Sequence, residues 1–224
     1  MIWRDADWMF FDVGETLVDE SPPLEDIFHQ LVQQAELRRV RLAVDDIRQL
    51  FIQAHTSFDP SPMSYVMKAL IPSEELRGLI RAGMKYNKRL EQPFPDAKRL
   101  LDAAAPYVRI GIIANQSEGT AARLKEYGLD EHIEAVISSA EEGLSKPDLG
   151  LYQLALDRTG CRAARAIMVG DRIDNDIIPA KKIGMKAIWV RQGFACNQRA
   201  RCKEEEPDLV VNMIRELYEL VRYG

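Results

Sequence analysis

The chain has 224 residues, enough for one substantial domain or one domain carrying a smaller insert. Its 46% hydrophobic and 29% charged content is that of an ordinary globular protein, and a formal net charge of −5 argues against a nucleic-acid-binding surface. No apolar run reaches the roughly 20 residues of a membrane span, and "MIWRDADW" lacks a secretory apolar core. Cys161, Cys196 and Cys202 are odd in number and not in C-x-x-C spacing, so a cytoplasmic protein with reduced thiols is expected.

In chain order, "WMFFDV" (8–13) is the first short, aromatic-rich apolar run, and it reads as a buried strand ending on Asp12. Residues 18–92 contain no convincing strand. Helical periodicity predicts helices over 24–37, 44–55 and 73–90, with Pro60, Pro62 and Pro72 as punctuation. Pro93 and Pro95 precede a helix over 96–107. Strand patterns then fall at 108–115, 133–139, 164–171 and 186–193. Amphipathic stretches at 118–128, 148–160 and 176–184 separate them, each closing on a glycine (Gly128, Gly160, Gly184). The tail, 208–223, reads as a short strand and a closing helix.

Strands alternating with helices of this length predict right-handed crossovers and an α/β fold with a Rossmann-like parallel sheet. The expected core is 1–17 with 93–224. Residues 18–92 form a small all-helical cap domain inserted after the first strand. An insert leaving the carboxyl end of a strand lies where open α/β sheets bind ligands, which favours a cap over extra core helices.

The carboxyl ends of parallel strands share one edge, so residues distant in sequence converge there. Asp12 closes the first strand, Asn115, Gln116 and Ser117 end the second, Lys146 follows the third, and Asp171 closes the fourth. Asp176 lies on the loop just beyond. Carboxylates crowded at one edge repel each other unless a cation sits among them, and Mg²⁺ is the usual hard dication for such a set. Lys146 adds a fixed positive charge, so a small anionic substrate is expected. Taken singly, these residues read as a turn cap, a surface lysine and a solvated acidic loop. The ordered set carries the signal.

That set resembles the haloacid dehalogenase-like (HAD) hydrolase superfamily from residue 8 to about 193, in the subgroup with a helical cap between its first two motifs. The likeness rests on "FFDVGETLVDE", "GLSKPD" (143–148) and "VGDRIDNDIIPAKKIGMKAIWV" (169–190). It implies that Asp12 is a nucleophile accepting a phosphoryl group. It also implies Mg²⁺ held by Asp12, the Gly14 backbone carbonyl and Asp171, with Asp176 a direct ligand or one bond removed. Lys146 matches the lysine that steadies the aspartate and the transferring group. Two positions depart from the family pattern. Gly14 stands where a second aspartate usually shuttles the proton, a role worth roughly 10²–10⁴-fold in rate. Ala114 stands where a Ser or Thr hydroxyl usually binds phosphate, leaving Asn115, Gln116, Ser117 and the N–H groups of the next helix as phosphate donors.

Glu15, His29 and His55 are alternative proton carriers. Glu15 reads as a solvated or cap-facing glutamate, the two histidines as helix-surface residues, and His132 as structural. Three functions follow from the resemblance. The first is a Mg²⁺-dependent phosphatase acting on a small phosphorylated metabolite, with weakened acid–base catalysis. The second is a haloacid dehalogenase or other C–X hydrolase, a phosphonate hydrolase needing a lysine such as Lys68, Lys85 or Lys88. The third is a catalytically weak ligand-binding or scaffold protein. A membrane partner is not expected, and monomer and homodimer remain open.

Overall fold

A computed structural model describes residues 2–224. The chain divides into two compact units, one running up to Asp19 and resuming at Pro93–Gly224, the other Glu20–Gln92. No helix among the described residues is long and apolar enough to cross a membrane.

The unit Glu20–Gln92 contains four helices: α1 (Ser21–Glu36), α2 (Val44–Thr56), α3 (Pro62–Leu70) and α4 (Glu74–Ala82). Phe28 of α1 meets Phe51 of α2 edge to face at 5.2 Å, a favoured aromatic geometry. Two of the expected boundaries move. Pro60 and Pro72 do fall between helices, but Pro62 opens one: it sits at the start of α3, where a missing N–H breaks no helical bond. The helix expected over 73–90 stops at Ala82. Gly83 follows it, packed so closely on Gln34 that an added Cβ would stand 2.2 Å from Oε1.

The other unit is built on six strands: β1 (Trp8–Phe11), β2 (Arg109–Ala114), β3 (Ile133–Ser138), β4 (Ala166–Gly170), β5 (Lys186–Val190) and β6 (Leu209–Val211). They lie in the order β3-β2-β1-β4-β5-β6, and every neighbouring pair is parallel. Six helices accompany the sheet: α5 (Ala97–Ala104), α6 (Thr120–Glu126), a short α7 (Ser139–Glu142), α8 (Leu149–Thr159), α9 (Ile178–Lys182) and α10 (Ile214–Tyr223). Side chains alternate along β1. Met9 and Phe11 join the core formed with α5 and α10, while Trp8 and Phe10 join the core formed with α8 and α9. Covering helices on both faces explain why β1 is apolar throughout rather than at every second residue.

From β1 the chain builds outward through β2 and β3 on one side, then through β4 to β6 on the other. The strand order therefore reverses at β1, and the crevice beyond its carboxyl end is the expected ligand position of such a sheet.

Gly111 of β2 sits beside Phe10 in register, and an added Cβ there would stand 2.7 Å from the Phe10 ring. Gly111→Ala is expected to cost about 1–3 kcal/mol through overpacking. Urea unfolding reads the loss, and an unchanged midpoint would contradict this packing.

Candidate active site

Sheet register decides which residues meet. Phe11 aligns with Ile112 on one side and Val169 on the other, so the carboxyl ends of β1, β2 and β4 lie side by side, β2 running on to Ala114 and β4 to Gly170. Asp12 extends the ladder by one bond, its N–H donating to Val169 O at 2.9 Å. The chain then folds back: the Val13 carbonyl accepts from the N–H groups of Thr16 (3.3 Å), Leu17 (2.9 Å) and Val18 (2.9 Å). Gly14 lies within this turn. Glu15 follows it with φ +52°, a left-handed conformation that costs a non-glycine residue about 1–2 kcal/mol.

Lys146 is buried, and its Nζ donates to Asp12 Oδ1 and to Asp176 Oδ1, each at 2.6 Å. Asp171 stands one residue beyond β4, and Asp176 lies in a wide π-type turn, Ile173–Ile177. Asp176 Oδ2 accepts from the Arg172 N–H at 2.9 Å. One carboxylate oxygen from each of Asp12, Asp171 and Asp176 falls within 4.8 Å of the others, and all three residues are buried. Room for this arrangement depends on Gly170, where an added Cβ would lie 2.3 Å from the Asp176 carboxyl carbon.

The sequence matches the family profile described as haloacid dehalogenase-like hydrolase over residues 9–190. The chain belongs to the haloacid dehalogenase-like hydrolase family. Among its relatives, the glyceraldehyde 3-phosphate phosphatase of Methanothermobacter thermautotrophicus is 28% identical, over 95% of this chain and 98% of the relative. The pyrimidine 5′-nucleotidase of Escherichia coli is also 28% identical, over 96% and 97%. A solved structure described as a predicted phosphoglycolate phosphatase from Haemophilus somnus shares the fold, with a TM-score of 0.73 and 14% identity over 97% of both chains.

In this hydrolase the charges at the sheet edge do not balance. Three buried carboxylates face one ammonium. Burial pushes the Asp171 carboxyl well above the usual range, and the charges of Asp176, Asp12 and Glu15 push it further. Asp176 is pushed up to about 6: burial raises it, Lys146 partly offsets that, and Asp12 raises it again. Lys146 is held protonated, because Asp12 and Asp176 outweigh the burial that works against its charge. All-oxygen donors with excess negative charge fit a hard divalent cation. A second acidic group, Asp102, Glu131 and His132, lies nearer the surface. There Lys98 Nζ already bonds Asp102 at 3.1 Å and Glu131 at 2.7 Å.

The three residues expected to bind phosphate fare differently. Asn115 is committed to Lys146: its Oδ1 accepts from the Lys146 N–H at 2.7 Å and its Nδ2 donates to the Lys146 carbonyl at 2.9 Å. Gln116 Oε1 accepts from Arg123 at 3.4 Å. Ser117 is exposed. The amide groups at the start of α6, also expected to face phosphate, are occupied by Glu141, whose Oε1 accepts from Gly119 at 2.9 Å and Thr120 at 3.3 Å.

Glu15 is not the solvated residue its position suggested. It is 7% exposed and its carboxylate packs on Gly193, where an added Cβ would stand 2.4 Å from Oε2. His55 packs on Phe51 with ring centres 4.9 Å apart, and His29 is exposed. His132 Nε2 lies 3.2 Å from Asp102 Oδ1, in keeping with a structural role.

Several supports escaped the sequence reading. Trp189 Nε1 donates to the Asp171 carbonyl at 2.7 Å, the buried Tyr152 hydroxyl donates to the Asn175 carbonyl, and Gln198 bonds the same loop. Trp189 and Tyr152 have a visible signal, being aromatic residues with a polar atom inside buried elements that must find a partner. Gln198 has none, since it sits in an irregular polar stretch.

A carboxyl with a raised folded pKa keeps a proton that the unfolded chain has lost. Its contribution favours folding near pH 4 and vanishes as pH rises through about 6 for Asp176. Metal-free hydrolase is therefore expected to lose on the order of 2 kcal/mol of stability between pH 4 and pH 7 from this source. Denaturant melts of wild type and Asp176→Asn check it. Parallel pH curves for the two proteins would contradict the burial account.

Proposed function

We propose that this hydrolase is a cytoplasmic, Mg²⁺-dependent phosphatase of small anionic metabolites that works through an aspartyl phosphate on Asp12. The observation that carries the reading is Lys146 Nζ, 2.6 Å from both Asp12 and Asp176, beside a third buried carboxylate. A nucleophilic carboxylate needs its charge held in place and its approach fixed, and the lysine does both. Asp12, Asp171 and the Gly14 carbonyl would hold the ion, with Asp176 behind them through its bonds to Lys146 and the Arg172 N–H. When bound, Mg²⁺ neutralises the oxygens of the transferring group.

An Asp12 oxygen attacks phosphorus as the bond to the leaving oxygen breaks. Water then attacks the phosphorus of the acyl phosphate, releasing phosphate and restoring Asp12. Lys146 aims the Asp12 carboxylate for the first step and, in the second, offsets the charge that returns to it as phosphate leaves. Because Asn115 is bound to Lys146, we assign the phosphoryl contacts to Ser117 and the backbone beside it. Phosphatase and nucleotidase relatives support a phosphate-ester substrate.

The esters in those relatives' names leave as alcohols, which need a proton on departure. Gly14 supplies none, so acyl and aryl phosphates are expected to turn over faster than alkyl phosphates. The retained acid pair, Asp171 and Asp176, favours this reading over a dehalogenase, whose departing halide needs neither proton nor metal. Assays with Mg²⁺ on acetyl phosphate, p-nitrophenyl phosphate, sugar phosphates and 2-chloropropionate separate the readings. We expect turnover of the first two that falls to background in Asp12→Asn. Fast sugar-phosphate turnover would refute the weakened-acid account, and metal-free chloride release would refute the phosphatase.

A further inference from the structure

The acids of the site sit on two loops, 12–18 after β1 and 171–177 after β4, and like charges push those loops apart. One short stretch beyond β5 holds both. Gln192 Nε2 donates to the Glu15 carbonyl at 2.6 Å and to the Thr16 carbonyl at 3.3 Å, while its Oε1 accepts from the Ile214 N–H at 3.1 Å. Six residues on, Gln198 Oε1 accepts from the Ile173 N–H at 2.6 Å, and its Nε2 donates to Asp174 Oδ1 at 2.8 Å. Gln198 is 2% exposed.

Asp174 in turn pairs with Arg172 at 3.1 and 2.5 Å, and the Arg172 N–H holds Asp176. Between the two glutamines lies Gly193, with φ +65°, whose bare Cα admits the Glu15 side chain. Any side chain there would collide with that loop.

We infer that Gln192 and Gln198 are positioning residues. The stretch they bound is a brace that fixes the spacing of the two acidic loops and so sets the affinity of the cation site. The inference rests on the proposed Mg²⁺ chemistry. The hydrogen bonds above run to loop backbone, to Asp174 and to Ile214, and none of them to Asp12 or Lys146. Gln198 bonds the second loop through both ends of its amide, and Gln192 ties the first loop to the start of α10, a geometry that a general filler of the surface would not need. A buried amide holding a ligand-bearing loop acts as outer partners of metal sites do, where loss costs about 10–100-fold in affinity.

The test is calorimetric titration of Mg²⁺ into wild type, Gln198→Met and Leu156→Ala. Methionine keeps the length of glutamine and removes both hydrogen bonds. Leu156→Ala opens a cavity in α8, so it lowers stability without touching either loop. Gln198→Met is expected to weaken Mg²⁺ about tenfold, while Leu156→Ala melts lower with wild-type affinity. Unchanged affinity in Gln198→Met would overturn the brace and leave the phosphatase reading standing. Equal weakening in Leu156→Ala would also overturn it, by reducing the effect to general stability. Wild type that binds no Mg²⁺ would overturn the phosphatase reading and the brace with it. If Gln198→Met fails to fold, Gln192→Met carries the same expectation at the other loop.

Discussion

Like charges brought together out of water repel strongly, and this protein gathers Asp12, Asp171 and Asp176 at one sheet edge with a single lysine among them. Burial alone would neutralise such groups by protonating them, which is the direction in which Asp171 and Asp176 are pushed. Lys146 resists that by sharing its charge between Asp12 and Asp176. It leaves Asp171 the least compensated acid, and that imbalance is what would draw in the proposed cation.

The rest of the core unit holds this arrangement in place. Parallel register puts β1 and β4 level, so the backbone itself delivers Asp12 beside Asp171. Gly170 leaves the space Asp176 occupies. Asn115 clamps the backbone of Lys146, and Trp189 and Tyr152 tether the loop from behind. Glu15 accepts a left-handed backbone in the turn that carries Gly14. Such strain persists only where surrounding bonds determine it, and it clusters at functional sites.

Much of this was legible in the sequence. The apolar runs ending in Asp12 and Asp171 marked strands and their carboxyl edge, since buried parallel strands and their terminal polar residues have a plain pattern. Lys146 was legible through Ser-Lys-Pro in its place in the motif order. What escaped was long-range and polar. That Asn115 hydrogen-bonds the Lys146 backbone depends on two loops 31 residues apart meeting. That Glu141 fills the start of α6, and that Gln198 reaches Ile173, depend on irregular segments with no periodicity to read. α3 escaped for a local reason: proline both breaks helices and begins them, and position alone separates the two.

Crystals grown with manganese, measured for anomalous scattering, test the central claim most directly. The account predicts one strong peak in contact with the carboxylates of Asp12 and Asp171 and the Gly14 carbonyl. An empty position there at saturating manganese, or a peak only at the outer group of Asp102, Glu131 and His132, would contradict it.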